Sequence, residues 1–414
     1  MIDVEEFRLQ ARAWLAENMP RLENGLDPFE AMSDDEDDRH AKSLQRTMYE
    51  GGYAGIVFPK EYGGQGLTPA HNRAWTAESK DYQSPHRFNM STVAIIAPAI
   101  LEFGTEEQKK RWLPGILSGE HFWAQLLSEP SGGSDLAGAL TRAEQDGDTW
   151  VLNGSKVWTT GGHLRDMGFC LARTDWNVPK HKGLSFFIVD LHAPGVEIQK
   201  ITQSNGNAEF CQEYFNDVVL PADALVGEPG QGWAIAQRVL FFERSAIGGS
   251  TIYAGRITGR KAGGGSTRRQ RNLVNLTRSR GTNQEPQTRK LVAEAHVLTT
   301  VRTHLITRIN AGTRTGALTP QTAAVLKMFT SETSARIASI GYELAGPEAV
   351  VGDDAALGAL SFGPEYLVRQ SRCIAGGSSE IQRNTIGERV LGMPRERSDD
   401  SDRPFGEVRR GRQA

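Results

Sequence analysis

Residues 121–231 break with the sequence on either side of them. In the flanks, apolar residues recur at spacings of three and four, the period of one helix face. Within the stretch, β-branched and aromatic runs are short and separated by turn residues, as in DGDTWVLNGSKVWTTGG, GLSFFIVDL, GVEIQKI and EFCQEYFNDVVLP. The pattern predicts an α+β protein of several domains. A helical N-terminal domain occupies 1–120, a middle antiparallel β-domain 121–231, and a helical C-terminal domain 232–396.

Local signals fill in this plan. Val4, Phe7, Ala11 and Trp14 fall on one face of a first helix, and a second covers His40 to Glu50 and ends at Gly51-Gly52. GIVFPKEYGGQGLTP reads as a loop. Thr105 is a predicted N-cap, with Gln108 completing a capping box and Glu106 and Glu107 favouring the helix dipole. Asn153-Gly154 predicts a hairpin turn. Helical periodicity returns from Gly232 and is interrupted by a flexible basic insertion at about 259–287, which carries Arg268, Arg269, Arg271, Arg278 and Arg280. The polar tail, 397–414, is expected to be disordered.

Composition narrows the class. At 414 residues with 38% hydrophobic and 23% charged residues, the chain is long enough for a sizeable core. A formal net charge of −3 predicts no global attraction to nucleic acid or membranes. Cys170, Cys211 and Cys373 are far apart and form no C-x-x-C pair, which argues against a zinc site or a disulfide framework. MIDVEEFRLQ lacks a basic-then-apolar leader, and no apolar run reaches the length of a membrane span. The expected setting is the cytoplasm.

Two stretches carry candidate chemistry. In WAQLLSEPSGGSDLAG, the small residues Ser131 to Ser134 let backbone approach a flat or charged ligand, and Ser128 and Ser134 offer hydroxyls. In KVWTTGG, Trp158 could shield an aromatic cofactor while Thr160 donates to it. Taken alone, the first reads more readily as a glycine turn and the second as half-buried sheet core.

Together with their flanks these stretches resemble the FAD-dependent acyl-CoA dehydrogenases. FPKEYGGQG, FGTEEQKKRWLPGILSGE, LLSEPSGGSDLAG, LNGSKVWTTGG and GGSSEIQRNTIGERVLG look like that family's blocks in its order, across roughly residues 1–395. The resemblance implies a C-terminal four-helix bundle, with FAD between it and the β-domain. It implies that Gln125, Leu127 and Ser128 meet the isoalloxazine, that Gly133 and Ser134 lie where flavin and CoA ester meet, and that Trp158 and Thr160 contact the flavin. In the terminal motif, Ser378 and Glu380 correspond to FAD positions and Gly377 lies near the thioester.

The family's reaction removes the α-proton of an acyl-CoA thioester while a β-hydride passes to flavin N5. Many members keep the catalytic carboxylate where this chain has Gly376, which has no side chain. A second family solution places the base on another helix, before an arginine that lines the substrate cavity. In VLFFERSAIGG the matching residues are Glu243 and Arg244. Glu243 follows three apolar residues, a setting in which partial burial tunes a base. The resemblance also implies longer, branched or bulky acyl groups, with Gly248-Gly249 as a feature that widens the cavity or permits close helix packing.

Other positions depart from the family. The R-x-x-F-G motif that reaches the FAD pyrophosphate is absent from 256–290, and the expected Q-x-x-G-G block reads YELAG, with Tyr342 in the Gln position and Gly346 retained. Looser FAD binding, a different pyrophosphate partner, or a partner subunit completing the site is therefore expected, in a homo- or hetero-oligomer (dimer or tetramer). The expected electron acceptor is an electron-transfer flavoprotein. Two rival readings remain at this point: a flavin oxidase or monooxygenase on the same fold, or a catalytically silent scaffold or nucleic-acid-binding relative with the arginine cluster as its footprint.

Overall fold

Asp3 opens the first helix by accepting the Glu5 N–H on its side chain at 2.8 Å. Helix α1 (Val4–Asn18) then buries Phe7, Ala11 and Leu15. The computed structural model describes residues 2–22, 34–86, 89–247, 251–255, 273–351, 362–395 and 400–408. Its contacts divide the chain into two units. The first comprises Met1–Ile201, Ala208–Lys261 and Ser398–Ala414; the second comprises Thr202–Asn207 and Ala262–Arg397.

In the first unit α1 is followed by α2 (Asp34–Glu50), α3 (Pro69–Glu78), a π-helical stretch (Asn89–Ile96) running into α4 (Ala97–Phe103), and α5 (Glu106–Ser118). The Thr105 capping box forms as expected: Thr105 Oγ1 accepts the Gln108 N–H, and Gln108 Oε1 accepts the Thr105 N–H.

Eight strands follow: β1 (Trp123–Leu126), β2 (Arg142–Asp146), β3 (Thr149–Thr160), β4 (Met167–Arg173), β5 (Leu184–Asp190), β6 (Val196–Ile201), β7 (Phe210–Pro221) and β8 (Leu225–Val226). Their order is β6-β7-β3-β2-β4-β5-β8, with β1 beside β4. The pairing is antiparallel along most of this path, but β1 and β2 both meet β4 in parallel. Strand β4 is buried along its whole length and shows how the sheet is packed. Phe169 and Leu171 face one core with Phe186 and Ile188; Cys170 and Ala172 face the other with Phe187 and Val189. Helix α6 (Gly232–Ile247) closes the first of these cores with Ile235, Ala236, Val239, Phe242 and Ala246. The first helix after the sheet therefore packs with the first unit.

The second unit is helical. Leu273 and Leu276 of α7 (273–279), Leu291 and Ala295 of α8 (Pro286–Arg314), and Ile337, Ile340 and Leu344 of α9 (Ala323–Ala345) share one core. Phe362 of α11 (Phe362–Leu367) joins it; α10 (Glu348–Val351) precedes that helix, and α12 (Ser371–Ile374) and α13 (Ser379–Thr385) follow.

Three expectations are corrected. Asn153-Gly154 is not a hairpin turn: β3 runs straight through it, and Gly154 sits at φ +146° at a register irregularity opposite β7. The hairpin lies earlier, where Gly147 at φ +56° links β2 to β3. The basic insertion is not irregular throughout, because 273–279 is helical and buries Leu273 and Leu276 at a spacing of three, a signal diluted by the arginines around it. Arg268, Arg269 and Arg271 lie outside the described residues, as do Gly248 and Gly249. Nor is the whole tail free of structure: residues 400–408 return to the first unit, where Phe405 is buried.

Candidate active site

A loop and a strand meet at the end of β1. Gln125 lies in that strand, half-buried and opposite Phe169 of β4. The chain then leaves the sheet through Leu127 and Ser128, and the Val157 N–H of β3 donates to the Ser128 carbonyl at 2.9 Å. Further along the loop, Gly133 comes close enough to Ser128 that a Cβ there would stand 3.2 Å from the Ser128 hydroxyl. Ser131, Gly132, Gly133 and Ser134 are all exposed, and a Cβ on Gly132 would meet nothing within 4 Å.

Strand β3 presents the aromatic face. A register shift between Val157 and Thr159 places Trp158 at φ +68°, in the left-handed region that non-glycine residues rarely occupy. The bulge turns the indole outward: Trp158 is 58% exposed, with its ring edge-to-face against Phe210 at 5.9 Å. Thr160 is exposed on the same strand. A large exposed aromatic held in a strained backbone is a feature of ligand sites.

Buried charges lie beneath this surface, and sequence reasoning did not single them out. Lys156 is fully buried; its ammonium donates to Glu129 at 2.8 Å and to the Leu127 carbonyl at 3.1 Å. Glu129 also accepts the Leu140 and Thr141 N–H groups. Burial pushes the Glu129 carboxyl up, but the Lys156 charge and these hydrogen bonds outweigh it and hold the group below its usual range. On β7, directly opposite Lys156, the buried Glu213 accepts the Thr159 hydroxyl at 2.7 Å. Burial pushes Glu213 up to about 7, with Thr159 and Lys156 pulling the other way. The other Glu213 oxygen meets no partner among the described residues. The available signal was a lysine and a glutamate at inward positions of strands that are otherwise apolar on that side.

Helix α6 carries the predicted base. Phe242 is buried, Glu243 is half-buried and Arg244 is exposed. Although the Arg244 side chain reaches the surface, burial around it pulls the guanidinium below its ordinary value, and the neighbouring Glu243 charge partly restores it. Arg238, earlier in the same helix, pairs with Glu102 at 2.9 Å and lies over the Phe241 and Phe242 rings, which fixes the helix against the segment carrying α4.

In the second unit, Gly376 and Gly377 take φ values of +68° and +93°, and their carbonyls both accept from Gln382. Ser378 caps α13, its hydroxyl accepting the Ile381 N–H at 3.3 Å. Glu380 stands exposed in the first turn, where its own backbone N–H and the Ser378 hydroxyl hold its carboxyl below the usual range. Tyr342, which replaces the expected glutamine, stacks on Tyr366 with ring centres 4.2 Å apart, and Gly346 ends α9 at φ +63°.

These residues fit a flat, anionic cofactor. The outward Trp158 offers a stacking face, and the exposed 131–134 loop offers bare backbone at Gly132, with open space around it. The comparisons with known proteins agree. Family profiles described as the acyl-CoA dehydrogenase N-terminal, middle and C-terminal domains match residues 3–120, 124–218 and 230–391. The chain is 35% identical over 400 residues to acyl-CoA dehydrogenase IpdE1 of Mycobacterium tuberculosis, a match covering 96% of this chain and 99% of that protein. Among solved structures, the Tcur3481–Tcur3483 steroid ACAD matches at a TM-score of 0.70 and 27% identity, over 95% of this chain and 98% of that one. Butyryl-CoA dehydrogenase from Megasphaera elsdenii, at 21% identity, shares the fold with a TM-score of 0.64 over 94% and 99%. The chain belongs to the acyl-CoA dehydrogenase family, whose members are FAD-dependent flavoproteins.

Proposed function

We propose that this acyl-CoA dehydrogenase uses Glu243 as its catalytic base and acts on a bulky acyl-CoA thioester. The observation that carries the assignment is a pair: Gly376 offers no side chain in the terminal motif, and α6 presents a half-buried carboxylate followed by an arginine. In this reading Glu243 takes the α-proton on a carboxylate oxygen, while Arg244 keeps positive charge beside it and lines the substrate cavity. FAD, when bound, supplies the acceptor for the β-hydride, and the product is the trans-2-enoyl-CoA. Gln125, Leu127, Ser128, Trp158 and Thr160 would hold the isoalloxazine; Gly133 and Ser134 would meet both flavin and thioester; Gly377 would lie near the thioester, and Ser378 and Glu380 would bind FAD. A base so placed contributes roughly 10²–10⁴-fold to rate.

The preference for a bulky acyl group draws on the base position and on similarity to a structure described as a steroid ACAD. An electron-transfer flavoprotein is the proposed acceptor, and an oligomer, with like or unlike subunits, the proposed assembly. The proposed domain divisions are 1–120, 121–231 and 232–396. A cytoplasmic place in lipid degradation suits three cysteines that all remain thiols. Anaerobic titration of the purified protein with a panel of acyl-CoAs tests the reading. Bleaching of the flavin band by a bulky thioester is expected; bleaching by short linear thioesters alone would overturn the substrate class.

A further inference from the structure

The C-terminal segment 400–408 returns to the sheet and settles on one buried arginine. Phe405 is 4% exposed, and its ring stacks on Trp176 with centres 5.6 Å apart and planes 29° from parallel. The Arg173 guanidinium lies 3.7 Å from the centre of the same ring. Backbone bonds fasten the segment: the Phe405 N–H donates to the Val178 carbonyl at 2.9 Å, and the Gly406 N–H donates to the Trp176 carbonyl at 2.8 Å. Arg403 braces it from within by donating to the Glu407 carbonyl at 3.2 Å.

Arg173 ties together two loops. It is fully buried at the end of β4, and its guanidinium donates to the carbonyls of Ala137 at 2.6 Å, Ala139 at 3.0 Å and Lys180 at 3.1 Å. The first two belong to the chain immediately after the exposed Ser131–Ser134 loop, and the third belongs to the loop that the tail grips. A Lys180–Asp135 ion pair at 2.8 Å joins the same two loops a second time. The Phe405 ring keeps water from the guanidinium. Without it, water would compete for the arginine's donors, and the carbonyl anchors of the 131–139 segment would loosen.

We infer that residues 400–408 are a strap, and that Phe405 is a positioning residue that acts through Arg173 on the loop carrying Gly133 and Ser134. The consequence for catalysis rests on the thioester role proposed above for that loop. The strap lies beyond residue 391, where the match to the C-terminal domain profile ends.

The test compares the full-length, FAD-loaded enzyme with Phe405→Ala, Phe405→Tyr and a chain ending at Arg397. Two quantities are read: amide hydrogen exchange over 136–141, and KM and kcat for whichever acyl-CoA bleaches the wild type. The strap predicts faster exchange there in Phe405→Ala and in the shortened chain. It also predicts a KM raised roughly tenfold with kcat within about twofold, because the loop binds substrate and does not react. Phe405→Tyr, which keeps the ring, should restore both. Wild-type exchange in Phe405→Ala overturns the proposal, and so does faster exchange with an unchanged KM. Exchange requires no turnover, so it judges the strap even if no thioester bleaches the wild type, an outcome that would overturn the proposed function instead.

Discussion

Two buried carboxylates under β3 respond to pH in opposite senses. The Glu213 carboxyl, raised to about 7, binds its proton more tightly folded than unfolded. Stability therefore falls as pH rises from the unfolded value near 4.5 through 7, and the penalty is complete above that window. Glu213→Gln should remove most of this slope and raise stability at pH 8 by roughly 3 kcal/mol; urea melts at pH 5 and pH 8 measure it, and an unchanged slope would contradict it. Glu129 is held below its usual range, so its contribution is present above its unfolded value and lost as pH falls through the lowered one. Removing its partner leaves a carboxylate buried without its ammonium. Lys156→Met should cost about 3–5 kcal/mol in denaturant unfolding at pH 7, and a loss below about 1 kcal/mol, the size of an exposed pair, would show that the burial is wrongly assigned. At this scale the sequence singled out Trp158, Ser128 and Glu243 as candidates but neither partner of the buried pair. A motif shows which residue types are present; it does not show which of them turn inward.

Elements were legible where a local signal sets them. The Thr105–Gln108 box is such a case, since both hydrogen bonds lie within four residues of chain. Thr105→Ala should lower stability by about 1 kcal/mol, read as a small shift in thermal midpoint with activity retained. Strand β3 shows the limit. Asn-Gly is a strong local turn signal, yet pairing with β2 on one side and β7 on the other carries the strand through it and turns the glycine into a bulge. At φ +146°, with a Cβ that would sit 2.6 Å from Thr141 Oγ1 and 2.7 Å from its Cα, Gly154 admits no side chain without strain. Gly154→Ala should cost more than about 1–3 kcal/mol, the range for a strained backbone, in the same unfolding assay; a neutral substitution would mean the bulge relaxes. The outward Trp158 depends on a second irregularity in that strand, set by cross-strand register and so invisible in a single run of residues.

For the whole molecule, the helix–sheet–helix order could be read from periodicity alone, because it repeats over many residues. The tail could not. Phe405 is one aromatic among charged residues, and only a distant arginine and tryptophan make it a core residue. The basic region also reads differently once folded. Arg280 pairs with Glu348 at 2.6 Å, which fits a structural role for at least that arginine. Family membership supports dehydrogenation over the oxidase and nucleic-acid readings. The proposed place of the base, on α6 rather than in the terminal motif, is the central claim, and one variant tests it most directly. Glu243→Gln, loaded with FAD and mixed anaerobically with the acyl-CoA that bleaches the wild type, should keep its flavin spectrum and lose the rate of flavin reduction by roughly 10²–10⁴-fold. Reduction at close to the wild-type rate would contradict the assignment.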